Sequence, residues 1–341
     1  MSPRGDRPGR RFDAATVGSS VAIGVLLLLG ALGPRADRGP SARVVPVATP
    51  TPTPTSATST TSTTSTTSTT STTSTTSTTS TTSTTSTTST TSTTSTTVPP
   101  PVLVWADEFD GAAGQLPDAT RWRFELGGHG WGNAQLEFTD DAHARLDGRG
   151  HLAITSEPLV AEAGIECWYG PCRFVSSRLT TDGLFAHRYG RVEIRASLPR
   201  GDATWPAFWM LGVDRAAMGW PASGEIDVLE HVGRDGDGVH GAVHGPGYSG
   251  GDAIVGGTTV DDVTAFHVYA VEWTAAAIEW SVDGRPYHRV DRDDVPSWPF
   301  DRPFHLVVNL AVGGTLGGDP TEADLQPHSF VIDHIRVYDL P

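Results

Sequence analysis

The chain has no lysine: all 24 of its basic residues are arginine, and it holds only two asparagines. Those scarcities point to a GC-biased genome rather than to a function. Positive charge is short overall, with a formal net charge of −15, and it is unevenly spread. Residues 1–50 carry seven Arg against three acids, whereas from residue 101 onward 17 Arg face 36 acids. So acidic a surface argues against nucleic acid and strongly anionic polymers as partners, and leaves neutral substrates open. Only two cysteines occur, Cys167 and Cys172 in E-C-W-Y-G-P-C-R. Two ligands do not make a zinc site, and the C-x-x-C redox spacing is absent. A local disulfide pinning this loop, favoured in an exported protein, or two buried thiols remain. Long amphipathic helical periodicity is also missing, which argues against the helical fold classes.

What is present divides the chain into three. Arg4, Arg7, Arg10 and Arg11 precede an apolar run from Val21 to Gly33. Counted from Ala14, the stretch is about 20 residues, enough for a helix across roughly 30 Å of hydrocarbon. No A-x-A cleavage site follows. Residues 1–48 therefore read either as an uncleaved transmembrane signal anchor with its positive end inside, or as a signal peptide cut at an atypical site. Either way the protein is exported, to the cell surface or the extracellular space. Residues 49–101 are dominated by Thr, Ser and Pro, with Ser at every third position from Ser59 to Ser95. This segment offers too little apolar area to offset the entropy of ordering, so a disordered stalk, open to O-glycosylation, is expected.

Residues 102–341 form the body, long enough to bury a sizeable core as a single domain. H-L-A-I-T from His151, R-V-E-I-R-A-S-L from Arg191, F-H-V-Y-A-V-E-W from Phe266 and F-H-L-V-V-N-L-A-V from Phe304 are β-rich runs, several of them alternating. Asp283-Gly284 sits between two strand-like runs and signals a hairpin. The body is all-β.

One stretch concentrates the chemistry. Trp220 to Gly233 reads W-P-A-S-G-E-I-D-V-L-E-H-V-G and sets three carboxylates into an apolar run bounded by Pro and Gly. On a strand, Glu225 and Asp227 share a face because the side-chain period is two, and Glu230, five positions from Glu225, points the other way. A β-bulge at Val228 or Leu229 would reset the alternation and bring Glu230 round to join them. Like charges on one face raise at least one pKa, as a pair needs when one carboxyl works protonated and the other ionised. The bland alternative is a solvated acidic strand.

The motif G-E-I-D-V-L-E-H-V-G resembles the active-site signature of glycoside hydrolase family 16 in its bulged form, and further segments resemble the laminarinase-like branch of that family in the expected order. They are W-A-D-E-F from Trp105, G-W-G-N from Gly130, S-S-R-L-T-T from Ser176, Y-G-R-V-E-I-R-A from Tyr189, T-W-P-A-F-W-M-L-G from Thr204, H-G-P-G-Y-S-G-G from His244 and N-L-A-V-G-G from Asn309. In two places the chain departs from the pattern: Gln135 and Glu137 stand exchanged, and the Trp expected shortly after N-L-A-V-G-G is replaced in T-L-G-G-D-P, from Thr315, which would leave one cleft wall more open. The resemblance implies a concanavalin-like β-jelly-roll sandwich with a concave substrate cleft, and a retaining endo-glycosidase that needs no cofactor for catalysis. Glu225 would be the nucleophile, Glu230 the general acid and then base, and Asp227 the group between them.

A sugar ring packs its C–H face on indole while its hydroxyls need directed polar partners, which makes Trp131, Trp205, Trp209 and Trp220 substrate-binding candidates, against the alternative of core packing. Trp205 and Trp209 share strand parity. Asn133 and Arg178 are candidate hydroxyl binders. His240 and His244 lie four apart, but the glycines beside them favour a strand over a metal-binding helix, and the resemblance sets His244 near Glu230. It also implies a structural calcium held by Glu108, the Gly148 carbonyl and Asp333, oxygen donors of the kind calcium takes. The resulting expectation is a monomeric endo-β-1,3-glucanase acting on a β-glucan polysaccharide. Its rivals are another specificity of the family, mixed-linkage glucan or galactan, and a non-catalytic glucan-binding module.

Overall fold

The computed structural model describes residues 99–341. The apolar run and the Ser/Thr/Pro stretch, and with them the expected signal or anchor and stalk, lie outside the described residues. The transmembrane expectation is corrected: among the described residues no helix is long and apolar enough to cross a membrane. The two α-helices among the described residues, Arg215–Met218 and Gly314–Gly317, have four residues each, about 6 Å of rise against a roughly 30 Å hydrocarbon layer.

Two sheets make up the β-jelly-roll sandwich. The ten-stranded sheet runs in the order Arg285–Asp291, Ala277–Val282, His267–Trp273, Gly190–Ser197, His328–Asp339, Leu152–Pro158, Phe174–Ser176 and Glu137–Thr139, with Val102–Asp107 and Ala144–Leu146 paired beside it. The seven-stranded sheet runs Ile254–Thr259, Gly238–His244, Glu225–Glu230, Thr204–Gly212, Phe304–Val312, Arg178–Thr180 and Arg123–Phe124. The expected hairpin forms between Ala277–Val282 and Arg285–Asp291, where Asp283 and Gly284 both take positive φ (50° and 73°). An Asp-Gly turn tolerates that conformation, and its twist matches that of the strands it joins.

Alternation assigns each face. In Phe304–Val312 every residue is buried, which a half-solvated strand would not allow. Phe304, Leu306, Val308 and Leu310 enter the main core with Phe208, Met210 and Ile226 from the same sheet and Ile194, Tyr269, Trp273 and Trp280 from the other. The intervening positions face the opposite way, where Ala311 packs with Trp205, Ala207 and Trp209. A central strand covered on both faces explains the nearly unbroken apolar run in its sequence. Cys167 and Cys172 are joined in a disulfide across the short hairpin formed by Glu166–Cys167 and Gly170–Pro171.

Candidate active site

The three acids stand on one face of their strand because the strand is bulged. Against Thr204–Gly212, Phe208 pairs with Leu229 and Trp209 with Asp227, so Val228 has no partner. Against Gly238–His244 the register slips in the same interval, with Asp227 opposite Ala242 and Glu230 opposite His240. Val228 and Leu229 both turn into the core, at 1% exposure each, and the alternation restarts at Glu230. Glu225, Asp227 and Glu230 then line one cleft together with Asn133, Gln135, Trp205, Ala207, Trp209 and Asn309.

Each glutamate is gripped by an indole. Trp220 Nε1 donates to Glu225 Oε2 at 2.6 Å, and Trp205 Nε1 donates to Glu230 Oε1 at 2.9 Å. His244 faces the same acids: antiparallel register sets it opposite Glu225, with His240 opposite Glu230, and its ring acts electrostatically on both glutamates. The His244 Nδ1 accepts from the Gly250 N–H at 3.1 Å, so the proton of the neutral ring resides on Nε2. That nitrogen lies 3.1 Å from Asp227 Oδ2, a close polar contact whose angle falls short of a hydrogen bond.

Burial pushes all three carboxyls up, Glu225 to about 8, Asp227 to about 7 and Glu230 to about 8. For both glutamates the charge of Asp227 is the next cause, and it acts in the same direction. His244 and the indole N–H groups pull the other way by favouring the ionised forms. A trio of this kind keeps some of its protons at neutral pH, because ionising one member makes the next harder to ionise.

Further along the sheet, the Arg178 guanidinium lies between two indoles, 4.5 Å from the Trp131 ring centroid and 4.7 Å from that of Trp209, and its Nε pairs with Glu125. Arg178 is only 5% exposed, so its planar cation is committed to these partners. Trp209 donates its N–H to Asn309 Oδ1 at 2.8 Å and so aims the Asn309 amide nitrogen away from itself. Asn133, Trp205 and Trp209 are thus in the cleft lining. Trp131 and Arg178 back it, and Trp220, 45% exposed, stands beside Glu225 at its mouth. Sequence reasoning named neither Asn309 nor Glu125 as a site residue; the N-L-A-V-G-G segment was the available signal for Asn309, and Glu125 carries none. The exchanged pair separates cleanly: Gln135 lines the cleft, whereas Glu137 is fully buried and accepts from the Val312 N–H at 2.9 Å.

The sequence profile of glycosyl hydrolases family 16 matches residues 131–332, more than half of the chain. The chain belongs to glycosyl hydrolases family 16. Among family relatives, the beta-glucanase of Rhodothermus marinus is 43% identical over 250 residues, covering 69% of this chain and 84% of that protein. The laminarinase catalytic domain of Thermotoga maritima superposes with a TM-score of 0.66 at 40% identity, over 71% of this chain and 99% of that one. The endo-beta-1,3-glucanase of Pyrococcus furiosus gives the same TM-score at 37% identity, over 71% of this chain and 95% of that one.

Two sets of residues bear on metals in this family 16 chain. The calcium ligands implied by resemblance lie apart from the cleft: Asp333 is on the ten-stranded sheet, Gly148 is in the turn after Ala144–Leu146, and Glu108 follows Val102–Asp107. Glu108 is bound at two points by Arg336 (2.8 and 2.7 Å), and Asp333 pairs with Arg195 at 3.0 Å and His334 at 2.9 Å. Carboxylates so committed to cationic side chains do not fit a calcium site, which takes six to eight oxygen ligands. The other set is in the cleft: Glu225, Asp227 and His244 offer ligand atoms within 4.8 Å of one another and could coordinate a metal ion.

Proposed function

We propose that the protein is a retaining endo-β-1,3-glucanase acting outside the cell on neutral, laminarin-like β-glucans. The observation that supports this reading best is the bulge at Val228, which turns Glu230 to the same cleft face as Glu225 and Asp227. In the reaction so inferred, Glu225 attacks the anomeric carbon while Glu230 gives its proton to the departing glycosidic oxygen, leaving a glycosyl ester on Glu225. Glu230, now ionised, takes a proton from water as the water oxygen attacks the same carbon and displaces the Glu225 carboxylate, which breaks the ester and restores both acids. Two inversions give net retention. Burial raises both glutamates and an indole N–H opposes it at each, so the trio retains protons at neutral pH, and the reaction uses the one on Glu230 while Glu225 acts ionised. Asp227, with His244 Nε2 beside it, tunes both glutamates through its charge. Asn133, Gln135 and Asn309 are the hydroxyl-binding groups, and Trp205, Trp209 and Trp220 supply the apolar faces. The Cys167–Cys172 disulfide supports an oxidising, extracellular setting, where a polymeric substrate is also found.

The test is reducing-end release by the full chain from laminarin, mixed-linkage glucan and agar, with the anomer of the first product followed by NMR. Release from laminarin with the β-anomer formed first is the expected result. The α-anomer first would remove the retaining mechanism, cleavage of another polymer alone would change the specificity, and no release from any would favour a binding module.

A further inference from the structure

The disulfide hairpin carries an aromatic ring whose position the catalytic reading leaves unused. Trp168, directly after Cys167, is 53% exposed, yet it is held on several sides. Its indole N–H donates to the Gln135 carbonyl at 2.8 Å, and its backbone N–H donates to the Gly128 carbonyl at 2.8 Å. The ring lies so close over Gly130 that a Cβ there would come within 2.9 Å of its Nε1, and it meets Tyr169 edge-on at 5.4 Å. The disulfide closes the base of the same hairpin against Gly128, where a Cβ would lie 2.4 Å from Cys167 Sγ.

A single exposed apolar side chain is ordinary and needs no explanation. Trp168 differs in two respects. Its rotamer is locked by a hydrogen bond on its polar edge, so presenting its ring to a ligand costs little conformational entropy. And the loop it clamps, Gly128–Gln135, is the one that delivers Asn133 and Gln135 to the cleft lining. The ring is therefore fixed to the segment that carries those two side chains, outside the lining around the acids, with much of its surface exposed.

We propose that Trp168 is a distal sugar-stacking platform, held in place by the Cys167–Cys172 hairpin, that engages a glucan chain beyond the residues around the scissile bond. This rests on the proposed glucanase activity and assigns the site its preference for long chains. An indole offered to the C–H face of a sugar contributes only when the chain is long enough to reach it.

The experiment uses the full chain and measures kcat/KM on a short β-1,3-gluco-oligosaccharide and on laminarin, for wild type, Trp168→Ala and Trp168→Phe. Trp168→Ala is expected to lower the laminarin-to-oligosaccharide ratio on the order of 5- to 30-fold, the effect of losing one aromatic stacking contact. Trp168→Phe, which keeps a ring but not the N–H anchor, should fall between. An unchanged ratio in Trp168→Ala, including an equal loss on both substrates, overturns the platform while leaving the glucanase reading intact. A Trp168→Phe ratio as low as that of alanine assigns the loss to the Gln135 anchor and overturns stacking. Wild-type protein that leaves β-1,3-glucans of every length uncut overturns the glucanase reading, and the platform with it.

Discussion

Trp205 reaches Glu230 Oε1 at 2.9 Å although Ala207, not Trp205, stands opposite Glu230 in the strand pair. The contact is diagonal, and it joins a partly buried acid to a tryptophan that is only 7% exposed. An N–H donor favours the ionised carboxylate, so this bond opposes the burial and the Asp227 charge that push Glu230 up to about 8. Trp205→Phe should therefore raise the Glu230 pKa further. A hydrogen bond to a charged group is worth about 1.5–3 kcal/mol, which corresponds to about one to two pH units. The alkaline limb of the kcat/KM profile, which reports loss of the acid's proton, should move upward by that amount. A downward shift would contradict the assignment of Glu230 as the acid.

Exchanging the two glutamates' functional atoms separates their roles. Glu225→Ala should abolish hydrolysis, and azide with an activated glycoside should restore turnover as the α-glycosyl azide. Glu230→Gln should lose about 10²- to 10⁴-fold on poor leaving groups and much less on glycosides of acidic phenols at the first step. Equal losses on both substrate classes would remove Glu230 from proton donation.

Deleting Val228 tests the bulge. The remaining E-I-D-L-E alternates without an extra residue, with Leu229 taking the single core position between two cleft-facing acids. The protein should fold, with a loss of about 1–3 kcal/mol for one buried valine's packing, read as a lower Tm. Loss of all soluble protein would count against the register described for Glu225–Glu230.

The buried carboxyls also set a pH dependence of stability. Glu137 is pushed from 4.5 to about 8, chiefly by burial. Because the folded state holds this proton more tightly than the unfolded chain, its contribution is fully present below pH 4.5 and is lost as pH rises toward 8. Glu137→Gln keeps an acceptor for the Val312 N–H but cannot ionise. Its thermal midpoint should gain on that of wild type between those pH values, on the order of a few kcal/mol at most, and show little of that gain in acid. A gain confined to acid pH would refute the burial argument.

Much of this was legible because it is local. Side-chain alternation required a bulge between Asp227 and Glu230 once the three acids were to share a face, the Asp283-Gly284 pair specified its own hairpin, and two cysteines separated by four residues had a disulfide within reach. Which of Val228 and Leu229 is the extra residue was not legible, since both are apolar and both are buried; hydrogen bonding to Thr204–Gly212 decides it. The same limit applies to the contacts that tune the site. Arg178 meets Glu125 across 53 positions and Trp209 meets Asn309 across 100, while His244 sits opposite Glu225 rather than Glu230 only because two strands run antiparallel in one particular register. Strand periodicity and turn chemistry are properties of a few consecutive residues, so the sequence by itself determined the all-β body and the three acids. Strand order and register are set by which faces bury together across the whole sandwich, so the partners of those acids, and the burial that raises their pKa values, were decided only by the tertiary structure.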